Sequence, residues 1–228
     1  KTPYAFKTTD FGKTWVNIIS DDVEGVVRNI QVDYENSDLL FLGTELGLYI
    51  TLNGGEKWYK FTNNMPAVAT HYIALQKETN DLVLGTHGRG IIIIDDISPL
   101  RELNEATQKK TLHFFESKPT VIKETQNFSG NFGNETQFVG GNKSSQAQIK
   151  YHLKKRHTFG KMTMAIVNSE GDTLSELTPG KSKGINIVNW SFRKKQPKVA
   201  KGKTFSFGGF TTPVLPAGKY IAKISKGK

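Results

Sequence analysis

An internal repeat of 42–43 residues occupies the first hundred residues and limits the folds that they can adopt. The segment TTDFGKTW at 8–15 returns as TLNGGEKW at 51–58. The segment DLLFLGTELGLYI at 38–50 returns as DLVLGTHGRGIII at 81–93. Short apolar runs separated by Gly, Asn and Asp turns at this period are typical of β-propeller blades, which are four-stranded antiparallel sheets.

The apolar runs between the turns have the length of strands, and helical periodicity is absent from this region. We expect one complete blade at about 27–61, half a blade before it and three strands after it. A closed propeller needs at least about four blades, so the chain is expected to be part of a longer product. The predicted strands are Tyr4–Lys7, Trp15–Ile18, Val27–Asp33, Leu39–Thr44, Leu48–Leu52, Trp58–Phe61, His71–Gln76, Leu82–Thr86 and Ile91–Asp95.

The residues of the two octets at 8–15 and 51–58 indicate folded hairpin turns and not a catalytic site. The side chains of Asp10 and Asn53 can accept hydrogen bonds from backbone N–H groups of their own turns, which leaves them poorly placed for acid–base work. The glycine that follows supplies a backbone conformation that is costly for other residues. The tryptophan begins the returning strand and is expected to pack beneath the turn. The residues given this structural role are Asp10, Gly12, Trp15, Asn53, Gly55 and Trp58.

Both octets resemble the Asp-box, the bacterial neuraminidase (BNR) repeat Ser/Thr-x-Asp/Asn-x-Gly-x-x-Trp. Residues 4–98 resemble the last blades of the large sortilin-like, Asp-box-containing propeller proteins of bacteria, which are often labelled glycosyl hydrolases by similarity. GTHGRGIIIIDDISPL at 85–100 is similar to the exit of that propeller, and GTELGLYITLNGGEKW at 43–58 is similar to the blade before it. The resemblance implies an architecture and carries no settled activity.

The resemblance continues beyond the propeller part. FVGGNKSSQAQIKYHLKK at 138–155 is similar to the entry of the family's C-terminal Ig-like domain, which is like that of flagellar hook-cap proteins. Segments at 165–177, 184–195 and 213–225 match the remaining Ig-like strands. The resemblance therefore implies an all-β chain in which a partial β-propeller is followed by an Ig-like β-sandwich.

The charge distribution supports a division into domains. Residues 1–98 carry 8 basic and 13 acidic side chains, whereas residues 99–228 carry 23 basic and 8 acidic ones. Such a change of sign indicates two surfaces of different character. We predict C-terminal propeller blades at 1–98, a helix and linker at 99–145, and an Ig-like β-sandwich at 146–228.

The segment after the propeller part begins with a helix signal. Ser98 can cap a helix and Pro99 suits a first turn, so we predict one helix at about 99–107. Leu112–Phe115 is a predicted strand, which could supply the outer strand that the last blade lacks. Residues 127–145 are rich in Asn, Gly, Ser and Thr, which indicates a loop at the domain junction.

Alternation of apolar and polar residues returns after residue 146 and predicts a β-sandwich. The apolar residues Ile149, Tyr151 and Leu153 face one way, and the polar residues between them face the other. Trp190 and Tyr220 are expected to anchor the core. The remaining apolar positions of the predicted strands are Met162, Met164, Ile166, Ile185, Ile187, Val188, Phe192, Ala222 and Ile224.

Glu45, His87 and Arg89 are the candidates for a ligand site. Glu45 occupies the place of His87 in the preceding repeat, and both follow a predicted strand at a hairpin mouth. Loops in such places often carry binding residues, and this cluster could hold an anion or a sugar. Alternatively, Arg89 ties neighbouring blades together through carbonyl groups or a carboxylate such as Asp95 or Asp96, which is the interpretation we favour.

The sequence does not contain a recognisable set of catalytic residues. Glycoside hydrolysis needs two carboxyl groups roughly 5–10 Å apart, but the adjacent Asp95 and Asp96 would point to opposite faces of a strand. Arg28 and Arg89 are the only arginines of the propeller part, so the arginine triad of sialidases is absent from it. The histidines show no metal-ligand spacing and the chain has no cysteine, so we assign no metal, no cofactor and no catalytic residue.

Basic clusters in the second half are candidates for a polyanion patch. Lysine outnumbers arginine there, which fits a solvated face or strand edges protected against aggregation. Aromatic residues are not interleaved as a stacking platform requires, which argues against nucleic acid and favours the polyanions of a cell envelope. The patch residues are Lys154, Lys155, Arg156, Arg193, Lys194 and Lys195.

Together these observations favour a non-catalytic binding or scaffold module of an exported bacterial envelope protein. Two alternatives stay open: part of a glycoside hydrolase whose catalytic carboxylates lie on upstream blades, and a polyanion-binding surface protein. The expected partners are the remaining propeller blades, with envelope proteins or glycans. The longest apolar run, Ile91–Ile94, is far below the ~20 residues of a spanning helix, and the resemblance implies secretion or the cell envelope.

Overall fold

The computed structural model describes residues 2–122, 146–195 and 213–227. In these ranges the regular secondary structure is mainly β-strand, with two short helices, and the antiparallel strands form five sheets, none of them closed. The chain divides into two compact units, residues 1–107 and residues 108–228.

The first unit contains three sheets that follow one another along the repeat. All nine predicted strands are present, and none of their ends differs by more than two residues from the predicted one. The first sheet comprises β1 (Phe6–Lys7) and β2 (Val16–Asn17). The second sheet has the order β3 (Val27–Val32), β4 (Leu40–Thr44), β5 (Gly47–Thr51) and β6 (Tyr59–Lys60). The third sheet has the order β7 (Thr70–Gln76), β8 (Asp81–Thr86) and β9 (Ile91–Ile94).

The second sheet is covered on both faces, and every residue of β4 and β5 is buried. Such strands need a continuous apolar run instead of a simple alternation. On one face, Leu40, Leu42 and Tyr49 cluster with Ile18 and Ile19, which follow β2. The opposite face packs against the third sheet in a cluster formed by Leu39, Phe41, Leu48, Ile50, Ile73, Leu82 and Leu84.

The single helix predicted at about 99–107 is wrong. Two short helices occur instead, α1 (Ser98–Glu102) and α2 (Glu105–Lys109). The side-chain Oδ1 of Asn104 accepts a hydrogen bond from the backbone N–H of Thr107 at 2.9 Å. This is the bond of an N-cap residue, so Asn104 starts a new helix instead of continuing the first one.

Two further expectations for this segment are corrected. Ser98 does not cap α1, because the N-cap position belongs to Ile97, which makes no side-chain hydrogen bond. The strand predicted at Leu112–Phe115 exists as β10 (Leu112–Phe114), but it does not complete the third sheet. It is the first strand of the second unit and pairs with the strand Ala147–Leu153, so part of the predicted linker belongs to that unit.

Two three-stranded sheets share the core of the second unit. The fourth sheet has the order β10, β11 (Ala147–Leu153) and β14 (Gly184–Trp190). The fifth has the order β13 (Thr173–Leu177), β12 (Met162–Val167) and β15 (Ile221–Lys226). Trp190 is buried in their common core and meets the partly buried Tyr220 edge to face, with ring centroids 5.2 Å apart. The loop predicted at 127–145 lies outside the described residues.

Two details of the predicted alternation differ in the second unit. The polar side of β11 is not solvated, because Lys150 and His152 are both buried. In β14 the apolar residues Ile185 and Ile187 are exposed, and Asn186 is buried instead. Hydrogen bonds explain the second difference, since the side chain of Asn186 donates to two backbone carbonyls and accepts from a backbone N–H within its own turn.

Candidate functional site

The carboxylate of the first octet is fully engaged by its own turn. Oδ1 of Asp10 accepts from the backbone N–H of Thr14 at 2.9 Å and from the hydroxyl of Thr8 at 2.8 Å. Oδ2 accepts from the hydroxyl of Thr14 at 2.7 Å. These hydrogen bonds, led by those of Thr14, lower the pKa of Asp10 to about 2. A carboxylate so placed stays ionised and has no proton to donate at neutral pH.

The second octet repeats the same bonds with an amide in place of the carboxylate. Oδ1 of Asn53 accepts from the backbone N–H of Lys57 at 3.0 Å and from the hydroxyl of Thr51 at 2.8 Å. The glycine of this turn, Gly55, has φ +103°, and a Cβ there would come within 2.8 Å of the Cβ of Ile18. The turn therefore requires glycine both for its backbone conformation and for space.

The two tryptophans do not have the same surroundings, although Trp15 lies against its own turn as expected. Trp58 is buried as expected, and its indole N–H donates to the carbonyl of Ile18 at 2.7 Å. Trp15 is 59% exposed, and its indole N–H donates to Gly12 in its own turn at 3.1 Å. Trp58 is covered because the first sheet lies against it, and no described sheet covers Trp15 in that way.

Among the described residues, no hydrogen bond, ion pair or ring contact joins Glu45, His87 and Arg89 to one another. Glu45 forms an ion pair with Arg28 at the surface. His87 stacks on His71 with ring centroids 5.6 Å apart. Arg89 is exposed and, among the described residues, forms no hydrogen bond or ion pair, so neither the ligand cluster nor the interblade tie has support in this geometry.

The carboxylate pair Asp95 and Asp96 lies beyond β9 instead of within a strand. Asp96 has a positive φ of 47°, and its Oδ1 accepts from the backbone N–H of Ser98 at 3.2 Å. Its own N–H donates to Oδ1 of Asp81 at 2.9 Å. These contacts form the turn into α1, and no general acid and base can be assigned from them.

The basic patch residues fall into two groups. Lys154, Lys155 and Arg156 follow β11, whereas Arg193, Lys194 and Lys195 follow β14. Because Leu153 pairs with Gly184 and Ala147 pairs with Trp190, the two groups lie at opposite ends of the fourth sheet. The second group is also partly neutralised, since Lys195 pairs with Glu176 at 3.0 Å.

The first basic group lies at a pocket that sequence reasoning did not find. The pocket has a volume of about 330 Å³ and brings residues from three parts of the second unit together. Nothing in the sequence indicates which strand ends meet, so the contributions of β15 and of the residue before β10 could not be foreseen. The lining residues are Thr111, Lys154, Lys155, Arg156, His157 and Lys226.

The third sheet carries a second feature that sequence reasoning located only in part, an uncovered apolar face. Tyr72 is 73% exposed, Ile91 is 72% exposed and Ile93 is 58% exposed. Tyr72 is opposite Gly85, which is opposite Ile91, and Ala74 is opposite Val83, which is opposite Ile93. These cross-strand rows define a continuous surface, here called the open face, formed by Tyr72, Ala74, Val83, Gly85, Ile91 and Ile93.

No protein-family model, curated protein or solved structure matches the chain. Among the described residues, no group of three His, Cys, Asp or Glu side chains is placed to hold a metal ion. No helix in the same ranges has the length and apolar character needed to cross a membrane. The open face and the basic pocket are therefore the features from which a function can be argued.

Proposed function

We propose that this chain is a non-catalytic binding or scaffold module of an exported bacterial envelope protein of the sortilin-like propeller type. In this proposal the first unit forms blades of a β-propeller, and its open face packs against a further sheet of the same repeat. The second unit is an Ig-like sandwich that follows the propeller. The observation that supports the proposal is the way the sheets of the first unit stack.

The repeat relates the open face to a face that is already covered. Phe41, Leu48 and Ile50 of the second sheet are buried against the third sheet. The same positions one repeat later are Val83, Ile91 and Ile93, which lie on the open face. Each sheet thus turns the same set of positions toward the sheet that follows it, and the third sheet has no described sheet to follow it.

Glycine positions extend this correspondence. A Cβ at Gly43 would come within 2.4 Å of the backbone oxygen of Thr70, because the third sheet approaches the second very closely at that point. Its equivalent one repeat later is Gly85, in the middle of the open face. A Cβ at Gly85 would meet only the side chain of Tyr72, at 3.3 Å. Gly85 therefore leaves space for another backbone to come as close to it as Thr70 comes to Gly43.

The occupant we assign to the open face is therefore another antiparallel sheet of the same repeat. An exposed patch of adjoining aromatic and aliphatic side chains is a mark of an interaction surface in a soluble protein. The outer edge of β9 adds to it, since no described strand pairs with that edge and its backbone groups are available to a fourth strand. A sheet with an apolar face would cover the open face, and a strand supplied with it would pair with the outer edge of β9.

Hydroxyl-radical footprinting tests the proposal. The isolated 228-residue chain is compared with the protein that contains this sequence in its source, captured by an antibody and called the natural product below. We expect Tyr72, Ile91 and Ile93 to be strongly labelled in the isolated chain and protected in the natural product. Ile187, which is 53% exposed in the second unit and lies outside the basic pocket, serves as the control that should be labelled in both.

Equal labelling of the open face in both forms would contradict the proposal. Hydrolysis of a glycoside by the natural product, lost on substitution of two of its carboxylates, would contradict the non-catalytic part of it. A double variant, Ile91→Lys with Ile93→Lys, provides a second measurement. It should leave the isolated chain folded, because both side chains are exposed, and it should remove the protection of Tyr72 in the natural product.

A further inference from the structure

The second unit carries its basic residues at one end of its two sheets. Lys154 follows β11, Lys161 precedes β12 and Lys183 precedes β14, and these strand ends meet at the same end of the unit. Lys226 ends β15, which pairs with the start of β12. We call this end the basic end. The described acidic residues Glu116, Glu170 and Asp172 lie at the other end of the strands. Glu176, on β13, forms its ion pair with Lys195 and also interacts with Lys161, but it does not line the pocket described below.

The backbone that carries these cations is fixed by hydrogen bonds. The N–H of Lys154 donates to the carbonyl of Thr111 at 3.3 Å, and the N–H of His157 donates to the carbonyl of Lys181 at 2.9 Å. The N–H of Gly227 donates to the carbonyl of Lys161 at 2.6 Å, which places Lys226 beside the loop at 154–161. The backbone segments that carry the cations are thus fixed around one pocket.

The pocket between them has the chemistry of an anion site. Four cationic residues, Thr111 and His157 line a half-open space of about 330 Å³, and none of the residues that line it is acidic. The Nε2 atom of His157, another lining residue, is buried and has no hydrogen-bond partner among the described residues. Like charges gathered with no acidic partner in the lining raise the local concentration of anions.

We infer that this pocket binds an acidic group of a polysaccharide, a carboxylate or a sulfate, with Lys154, Lys155, Arg156 and Lys226 as the binding cations. The pocket is large enough for one charged sugar unit, and the exposed cations beside it can pair with the acidic groups of the next units. Phe159 is two residues from His157 and 84% exposed, so its ring is available to the apolar face of a sugar. This inference concerns the second unit and does not depend on the open face of the first.

The alternative ligand for such a surface is nucleic acid, and the residues of the basic end disfavour it. Recognition of single strands uses several aromatic side chains on which successive bases stack. Among the described residues of the loops at this end, Phe159 is the only exposed aromatic one. Three of the four binding cations are lysines, which act as point charges and lack the planar fork that arginine offers to phosphate.

Equilibrium binding of the full chain to four polymers tests the inference. Heparin carries sulfates together with carboxylates, polygalacturonate carries carboxylates alone, dextran is neutral, and a short DNA duplex carries phosphates. We expect binding to at least one of the two acidic polysaccharides, weakening steeply as salt is added because counterions are released. We expect no binding to dextran, and DNA binding at least about tenfold weaker than the better polysaccharide at the same salt.

Two triple variants with equal loss of charge identify the site. Lys154→Gln with Lys155→Gln and Arg156→Gln should weaken polysaccharide binding about tenfold or more and lower its salt dependence. Arg193→Gln with Lys194→Gln and Lys195→Gln removes the same formal charge at the opposite end and should change affinity less than about twofold. Five of the six side chains are exposed and Arg193 is partly buried, so thermal unfolding checks that both variants remain folded.

Three results would overturn the inference. The first is no binding to either acidic polysaccharide at low salt. The second is an equal loss of affinity in the two triple variants, which would mean that net charge and no particular site is responsible. The third is tighter binding to the DNA duplex than to both polysaccharides, which would make nucleic acid the ligand of the basic end.

Discussion

Arg101 donates to both carboxylate oxygens of Asp33, from Nε to Oδ2 and from Nη2 to Oδ1, each at 2.9 Å. The side chains are 10% and 0% exposed, so the pair is buried. The same guanidinium donates to Oδ1 of Asn80 at 2.9 Å and lies 4.5 Å from the ring centroid of Tyr34. These contacts attach α1 to the end of β3 and to the turn before β8.

Arg101→Met should lower the free energy of unfolding by about 3–5 kcal/mol, because it leaves the charge of Asp33 buried and unpaired. Arg28→Met is the matched control. Its pair with Glu45 is exposed, with 43% and 41% of the two side chains accessible, so that loss should cost less than about 1 kcal/mol. Urea unfolding of the full chain measures both. Equal costs would mean that the Arg101 cluster does not stabilise the unit.

The pKa of Asp33 predicts a dependence of stability on acid. Burial alone would raise this pKa, but the hydrogen bonds from Arg101 and from the N–H groups of Asn36 and Glu35 hold it below its usual value. A carboxyl whose pKa is lower in the folded state stabilises the protein above the unfolded pKa, and that stability is lost as the pH falls through the folded pKa. Unfolding measured from pH 7 to pH 2 should show this loss in the wild type, and Asp33→Asn should flatten the acid limb.

The unequal surroundings of the two repeat tryptophans give another prediction. Trp58→Phe should lower the free energy of unfolding by about 1–3 kcal/mol, because it leaves a gap and an unpaired carbonyl at Ile18. Trp15→Phe should change it by less than about 0.5 kcal/mol, since the indole is largely in water. Tryptophan fluorescence during urea unfolding is unsuitable for variants that lose an indole, so circular dichroism is the measurement. Similar losses in both variants would contradict the difference in burial.

The strands of the first unit could be predicted because the repeat and the short apolar runs give the same boundaries twice. The exposure of Trp15 could not be predicted, since it depends on which sheet lies beside the turn and not on the octet itself. The contact between Arg101 and Asp33 joins residues 68 positions apart, and neither residue has a neighbour in sequence that points to the other.

In the second unit, the sequence of β14 does not indicate correctly which of its residues face the core. Ile185 and Ile187 are more hydrophobic than Asn186, but a side chain that satisfies three hydrogen bonds in its own turn can be buried at little cost. The pocket at the basic end shows the same limit. Lys154 and its two neighbours were recognisable as a charged cluster, whereas the position of Lys226 beside them depends on the pairing of β12 with β15.

Tyr151 provides a prediction at high pH. Burial raises its pKa to about 12, and its hydroxyl donates to the carbonyl of Gly180 at 2.6 Å. A tyrosine whose pKa is higher in the folded state stabilises the protein below its unfolded pKa of about 10, and that stability is lost as the pH rises toward 12. An absorbance titration at 295 nm should show one tyrosine that ionises only on alkaline unfolding. That late step should disappear in Tyr151→Phe, and its persistence would assign it elsewhere.

Equivalent glycines of the second and third sheets give the sharpest test of the stacking. Gly43→Ala should lower the free energy of unfolding of the isolated chain by about 1–3 kcal/mol, because the new Cβ would lie 2.4 Å from the backbone oxygen of Thr70 and the third sheet must move. Gly85→Ala should change it by less than about 1 kcal/mol, because its Cβ meets only the exposed side chain of Tyr72 and because alanine restricts the unfolded chain.

The same pair of variants should behave differently in the natural product if a further sheet covers the open face. Gly85→Ala would then meet the backbone of that sheet as Gly43→Ala meets Thr70, and its cost should rise to about 1–3 kcal/mol. Hydrogen exchange of β7, β8 and β9 measures the effect locally, since loss of the covering sheet would speed exchange there and leave β4 and β5 protected. A Gly85→Ala product with unchanged exchange in the third sheet would show that no backbone approaches this position and that the stacking ends at the open face.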